Sequence, residues 1–266
     1  MTRCQTCGLF ARFPLPKEAE LSAYYREHYG AQFPEEQLGM VRRNLYEHAL
    51  AWIRDVQPPP GRLIDVGCGG GALLALSQER GWQATGLDPS TAAVAQARAK
   101  GLDAYEAVWP ESGLPDATAD VVTFVNVLDH LLDPFAALSE AWRVLKPGGL
   151  LYIRVPNAPI HAWLTRLLSP LGCTHLTVLH LFGFGRAALH HHLSWLGFTA
   201  QVVRAAPPSQ GEAYAKKGES TYFLRALLKS LDRRTHQLLV RIGLDRLGWG
   251  LSLEARAAKA VTRVGI

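Results

Sequence analysis

Two acids and four glycines are grouped in a way that could do chemistry. The apolar run Arg62–Val66 carries a carboxylate at Asp65 and is followed by Gly67-Cys68-Gly69-Gly70-Gly71. A second acid, Asp88, ends the next apolar run in Gly86-Leu87-Asp88-Pro89-Ser90, 88 − 71 = 17 residues past the last of those glycines. Glycine at Gly67, Gly69 and Gly71 permits positive φ and removes Cβ atoms from the turn, so a ligand can lie directly on backbone N–H groups. The spacing also satisfies the dinucleotide fingerprint G-x-G-x-x-[G/A] through Ala72. Asp65 argues against a pyrophosphate, which it would repel, and for a cationic sulfonium or amino group. Asp88 can accept two ribose hydroxyls. Two other classes stay open on these residues: an NAD(P)-dependent oxidoreductase and a non-catalytic nucleotide-binding module.

Further along, His130 in "NVLDHL" and His180 are candidate general bases, because an unperturbed imidazole titrates near neutral pH. A loop-capping role is the competing reading of His130. The run "HHH" at 190–192 is expected at an exposed helix surface, since three consecutive helical positions cannot share one face. Tyr24, Tyr25 and Tyr29 in "YYREHY" can close over a ligand or simply pack the N-terminal arm. Cys4-x-x-Cys7 offers two thiolates where structural zinc takes four ligands, so no metal site is assigned and zinc is not expected. A vestigial site, a site completed across a dimer or by distant histidines, and a chain start placed too late all remain compatible with that pair.

The elements that must position these residues alternate in type. Leu38, Val41, Leu45, Ala49, Trp52 and Val56 form one helical stripe, ended by "PPPG" at 58–61. "RLIDVG", "WQATGLD", "DAYEA", the doubly apolar "DVVTFVNVL" and "LLYIRV" read as strands, with helices in "GALLALSQERG", "STAAVAQARAKG" and "PFAALSEAWRVL" and a turn at "KPGG" between the last helix and strand. Such alternation predicts an α/β fold with a doubly wound parallel sheet. After Pro156 the pattern loosens; "GRAALHHHLSWLGF" reads as a helix, "FTAQVVRA" as a strand, 221–247 as amphipathic helix and "LSLEARA" as a last strand.

The totals set bounds. With 266 residues, 48% apolar and 19% charged, the chain can bury a sizeable core. A net charge of +5 is too small to argue for nucleic acid. Four cysteines without disulfide-like spacing, and no signal-peptide core, suggest a reduced, cytoplasmic setting. No membrane span is expected. Between Glu212 and Ile266 eleven Lys/Arg face five Asp/Glu, which leans toward an anionic or amphiphilic partner.

Taken in order, Asp65-x-Gly67-x-Gly69-x-Gly71, Asp88, "DVVTFVNVLDHLLDP" (120–134) and "LKPGG" (145–149) resemble the class I S-adenosylmethionine-dependent methyltransferases. "CQTCGLFARFPLPKEAELSAYYREHYG" and "HLFGFGRAALHHHLSWLGF" are similar to a bacterial small-molecule subgroup with an N-terminal cysteine-pair segment. The resemblance implies a Rossmann-like sheet of seven strands, the last antiparallel. It divides the chain into an arm (1–37), a core (38–204), a helical insertion or lid (205–250) and a last strand with tail (251–266). It further implies S-adenosyl-L-methionine, with S-adenosyl-L-homocysteine as product, held by Asp65, Gly67, Cys68, Gly69, Gly71, Asp88, Pro89 and Asn126. Trp109, next to the position where relatives place an adenine-binding acid, is expected to stack on the adenine, with a core position as the alternative. The acceptor is expected to be a small molecule and the protein a monomer or homodimer.

Overall fold

The computed structural model describes residues 1–25, 35–171, 180–209 and 222–261. Tyr29 and Cys173 lie outside them. The main sheet uses β3 (Arg62–Val66), β4 (Gln83–Asp88), β5 (Asp103–Glu106), β6 (Ala119–Val125), β7 (Leu145–Pro156), β9 (Phe198–Ala205) and β10 (Ser252–Lys259). Their order is β5-β4-β3-β6-β7-β10-β9; β3 pairs in parallel with β4 and β6, whereas β10 runs antiparallel to both β7 and β9. This is the seven-stranded, doubly wound arrangement that the sequence implied.

Alternate residues of each strand are buried on opposite faces, as a two-sided sheet requires. One face packs Leu63, Val121, Val125, Leu150 and Tyr152 against α2 (Glu35–Arg54), α3 (Ala72–Glu79) and α4 (Thr91–Ala99). The other packs Ile64, Phe124, Ile153 and Val155 against α5 (Pro134–Val144) and α7 (Arg186–Trp195). On α2 the stripe Leu45, Ala49 and Trp52 is buried, but Val56 lies past the helix end and is exposed. The side chains of Leu38 and Val41 are outside the described set.

Three local differences from the sequence reading have physical causes. The "KPGG" turn sits inside β7: Leu145 pairs with Ala119 and Leu150 with Val121, so residues 146–149 bulge from a continuous strand. Helix α6 (Ala158–Leu168) follows Asn157 directly, where no element was expected; its buried face is narrow, Ala158 and His161. The N-terminus forms a hairpin, β1 (Thr2–Arg3) and β2 (Phe10–Ala11), which pairs with β8 (Phe182–Gly183) in a second, three-stranded sheet, after which the short helix α1 (Glu18–Ala23) follows. Arg12 N–H also donates to Leu181 O at 2.9 Å. The hairpin thereby clamps the segment that carries His180. Long helix α8 (Tyr222–Arg241) precedes β10. Among the described residues no helix is long and apolar enough to cross a membrane.

Candidate active site

The site is assembled at the carboxyl ends of β3, β4, β6 and β7, where the strand order reverses. Asp65 stands near the end of β3 and is only 4% exposed. Its neighbour across the ladder, Thr123, donates Oγ1–H to Asp65 Oδ1 at 2.6 Å. Burial drives the Asp65 carboxyl up to about 7, against the Thr123 hydrogen bond and with help from the Asp88 charge. Asp65 therefore holds a proton over much of the acid range and sheds it near neutrality.

The bend after β3 is held to β4 by backbone and by Asp88. Gly67 N–H and Cys68 N–H donate to Leu87 O at 2.7 and 3.2 Å. Asp88 accepts from Gly69 N–H through Oδ2 (2.9 Å) and from Ser90 N–H through Oδ1 (2.8 Å). Ser90 is itself the N-cap of α4, accepting from Ala93 N–H, so Asp88 is not the cap. A carboxylate has about four acceptor positions, and the Gly69 and Ser90 N–H groups take one on each oxygen. Pro89, half-buried, follows it at the mouth of the turn.

Gly67 and Gly71 are bare for two reasons, one expected and one not. Both have positive φ, +71° and +81°. A Cβ on Gly67 would overlap the side chain of Val127, and one on Gly71 would overlap Leu102 and Ala97. Their missing Cβ atoms thus also admit protein neighbours, while the Gly69 N–H of the bend is taken by Asp88. The Cys68 thiol turns inward, where a Cβ on Gly86 would meet its Sγ at 2.5 Å, so the side chain packs under β4. Trp109 takes the core position rather than the adenine-stacking one. It is buried against Phe124, with ring centroids 5.8 Å apart, and its indole N–H donates to Ala137 O at 2.8 Å. The ring is used by the core and offers no open face for adenine.

At the end of β6, Asn126 adopts φ +58°, a conformation that a short polar side chain tolerates. Its N–H donates to Arg154 O, and its Oδ1 accepts from Arg154 Nη1, which latches the loop to β7. The following single turn, Leu128–His130, brings the histidine candidates together. The rings of His130 and His180 are 3.6 Å apart, centroid to centroid. His180 Nδ1 lies 2.6 Å from Oδ2 of buried Asp129, and Leu181 N–H donates to Asp129 O. Asp129, missed in the sequence although adjacent to His130, thus orients His180: with Nδ1–H given to the carboxylate, Nε2 keeps its lone pair. Burial pushes the Asp129 carboxyl up, yet His130 and His180 bring it below the ordinary carboxylate range. Burial lowers His130 to about 4, with opposition from Asp129 and help from His180 and Arg42. His130 is therefore neutral at physiological pH and shares a 2.7 Å hydrogen bond through Nδ1 with Tyr25 OH. Tyr25 thus reaches the histidines, and Tyr24 stacks edge-on against it.

Ligating atoms of Asp129, His130 and His180 lie within 4.8 Å of one another, close enough to share a divalent cation. Cys4 and Cys7 are free, and among the described residues neither belongs to a cluster of three or more ligating side chains. The backbone N–H groups of Cys7 and Thr6 pull the exposed Cys4 thiol below its usual value. Of the "HHH" run, His191 is exposed, whereas His192 packs on Phe135 and His190 contacts Gln201.

Residues 40–201 match the family described as "Methyltransferase domain". This chain belongs to the methyltransferase domain family. A probable S-adenosylmethionine-dependent methyltransferase of Mycolicibacterium smegmatis is 32% identical over 191 residues, 63% of this chain and 74% of that protein. A ubiquinone biosynthesis O-methyltransferase of Idiomarina loihiensis is 32% identical over 139 residues, 49% of this chain and 54% of that one. The chain thus spans about half the length of the ubiquinone methyltransferases it matches. Among solved structures, a chain from the complex of the Haloferax volcanii Trm112 methyltransferase activator with a putative methyltransferase superposes with TM-score 0.66 at 20% identity, covering 91% of this chain and all of that one. Geranyl diphosphate C-methyltransferase of Streptomyces coelicolor, crystallised with S-adenosyl-L-homocysteine, gives 0.55 at 15% identity, covering 88% and 87%. These likenesses identify the class I S-adenosylmethionine-dependent methyltransferase fold.

Proposed function

We propose that the chain transfers a methyl group from S-adenosylmethionine to a small-molecule acceptor, with His180 as the base when the acceptor must lose a proton. The observation that carries this reading is the pair of acids at one strand-end crevice: buried Asp65 beside the bend, and Asp88 bound to both the bend and the start of α4. Asp65 suits the methionine ammonium, Gly69 the adjacent backbone, and Asp88 the ribose hydroxyls. When bound, the cofactor supplies an electrophilic methyl carbon. The chain has to align an acceptor in line with it and exclude water, which accounts for the small demand on side-chain chemistry. Asp129 holds His180 so that Nε2 can take the acceptor's proton, and neutral His130 with Tyr25 walls the same space. The ubiquinone O-methyltransferases among the relatives support an oxygen acceptor.

Calorimetry tests the reading directly. S-adenosylhomocysteine should bind and raise the melting midpoint by mass action, and NAD should do neither. Stabilisation by NAD alone would reverse the assignment. Binding should also depend on pH with a defined sign. Only ionised Asp65 attracts the ligand's ammonium, so below its pKa of about 7 affinity should fall as the group protonates, up to about tenfold per pH unit. Asp65→Asn should bind weakly at every pH. It should also melt higher than the parent at pH 8, because a group whose pKa is raised by folding contributes stability that is lost as pH climbs from about 4 toward 7. A parent affinity flat between pH 5.5 and 8 would remove Asp65 from the ligand.

A further inference from the structure

Arg154 is 6% exposed near the carboxyl end of β7, on the sheet face covered by α2. A guanidinium in that position needs a counter-charge, since taking an ion out of water without a partner is strongly unfavourable. Among the described residues it forms no ion pair. Nη1 donates to Asn126 Oδ1 and Nη2 to Pro207 O at 3.1 Å, both uncharged acceptors, and buried Nε has no hydrogen-bond partner. The charges of two acids, Glu254 and Asp232, reach Arg154, but neither bonds to it directly. Glu254 accepts from Arg204 Nε (2.7 Å) and Tyr152 OH (3.0 Å) and pairs with His48 Nε2 (2.9 Å). Asp232 accepts from Leu251 N–H at 3.0 Å. A second cation, Arg42, is close enough for its charge to oppose protonation of both Arg154 and His130. The strap at Pro207–Pro208 is tied to the same place, by Arg154 and by Asn44 Nδ2 on α2.

Resting on the methyltransferase reading above, we infer that Arg154 is the anchor of an acceptor-binding subsite for a carboxylate, and that the acceptor is an acidic small molecule. The latch between Arg154 and Asn126 places this charge on the loop that leads to Asp129 and His130, so an acid held there would present its other end to the methyl-transfer site. The chemistry favours a monoanion. Among the described residues the guanidinium bonds directly to no counter-ion, and its Nε and Nη2 give the side-on, two-point geometry that a planar carboxylate uses. A phosphate would bring nearly two charges to that one edge.

The test is thermal shift and calorimetry on protein saturated with S-adenosylhomocysteine, comparing benzoate with benzamide and octanoate with octanamide. Each pair shares its shape and differs in charge. At least one acid should bind about tenfold or more tighter than its amide, the effect of a charge-assisted hydrogen bond. R154Q should abolish that preference; R154K should keep part of it. Equal binding of acids and amides, binding of neither acid, or an undiminished preference in R154Q overturns the subsite. The comparison in the unsubstituted protein stands even if R154Q does not fold. Failure of the unsubstituted protein to bind S-adenosylhomocysteine would instead count against the methyltransferase reading.

Discussion

Replacing Asp88 with alanine should weaken S-adenosylhomocysteine binding by about a hundredfold or more. Hydrogen bonds to a charged acceptor contribute roughly 1.5–3 kcal/mol each, and two ribose hydroxyls would lose theirs together. The substitution also frees the Gly69 and Ser90 N–H groups, so the bend loses the staple that holds it against β4. The protein should melt lower, by an amount corresponding to about 1 kcal/mol for each N–H left without its acceptor. Asp88→Asn separates the two contributions. It keeps one acceptor oxygen but turns an NH2 toward either Gly69 N–H or Ser90 N–H, so binding should recover only in part. Calorimetry at neutral pH reads the affinity, and amide exchange at Gly69 reads the staple. An affinity for Asp88→Ala within about threefold of the parent would show that this carboxylate serves the turn alone.

The staple also shows where sequence reasoning reached its limit. Strand and helix alternation gave the parallel half of the sheet, because burial on both faces and glycine-closed helices are local signals. The antiparallel position of β10 came from the resemblance. For Trp109 the sequence left adenine stacking and a core position both open, because a single chain does not reveal on which side of a strand end a ring will fall; Phe124 and the carbonyl of Ala137 decided for the core. The glycine pattern was legible, but its cause was only partly so. Val127 and Leu102 lie 60 and 31 residues from Gly67 and Gly71, and nothing in the local spacing announces them. The same holds for Tyr25 against His130, 105 residues apart. That contact depends on an N-terminal hairpin that pairs with β8, a pairing too short to leave a period in the sequence.

Removing the imidazole of His180 should cost the reaction more than any substitution at His130. For an acceptor that must lose a proton, general-base catalysis contributes about 10²–10⁴-fold. His180→Ala should lower kcat by that order and leave S-adenosylhomocysteine affinity unchanged, since the histidine lies beyond β6 while the two cofactor acids lie on β3 and β4. His130→Gln should cost less: at a pKa of about 4 that ring is a neutral partner for Tyr25 and cannot supply the titrating limb of a profile near neutrality. Asp129→Asn is the discriminating variant. The carboxylate accepts Nδ1–H and so orients His180; its loss should lower kcat, and adding the substitution to His180→Ala should cost little more. A residue that only packed the loop would lower kcat by the same factor with or without the imidazole. Chelation decides between proton transfer and a shared cation at Asp129, His130 and His180. Activity that survives exhaustive treatment with a chelator, together with non-additive losses at Asp129 and His180, fits the base. Activity that disappears and returns with a divalent cation would assign the three side chains to a metal and remove His180 from proton transfer, because a metal-bound imidazole nitrogen has no lone pair to offer an acceptor.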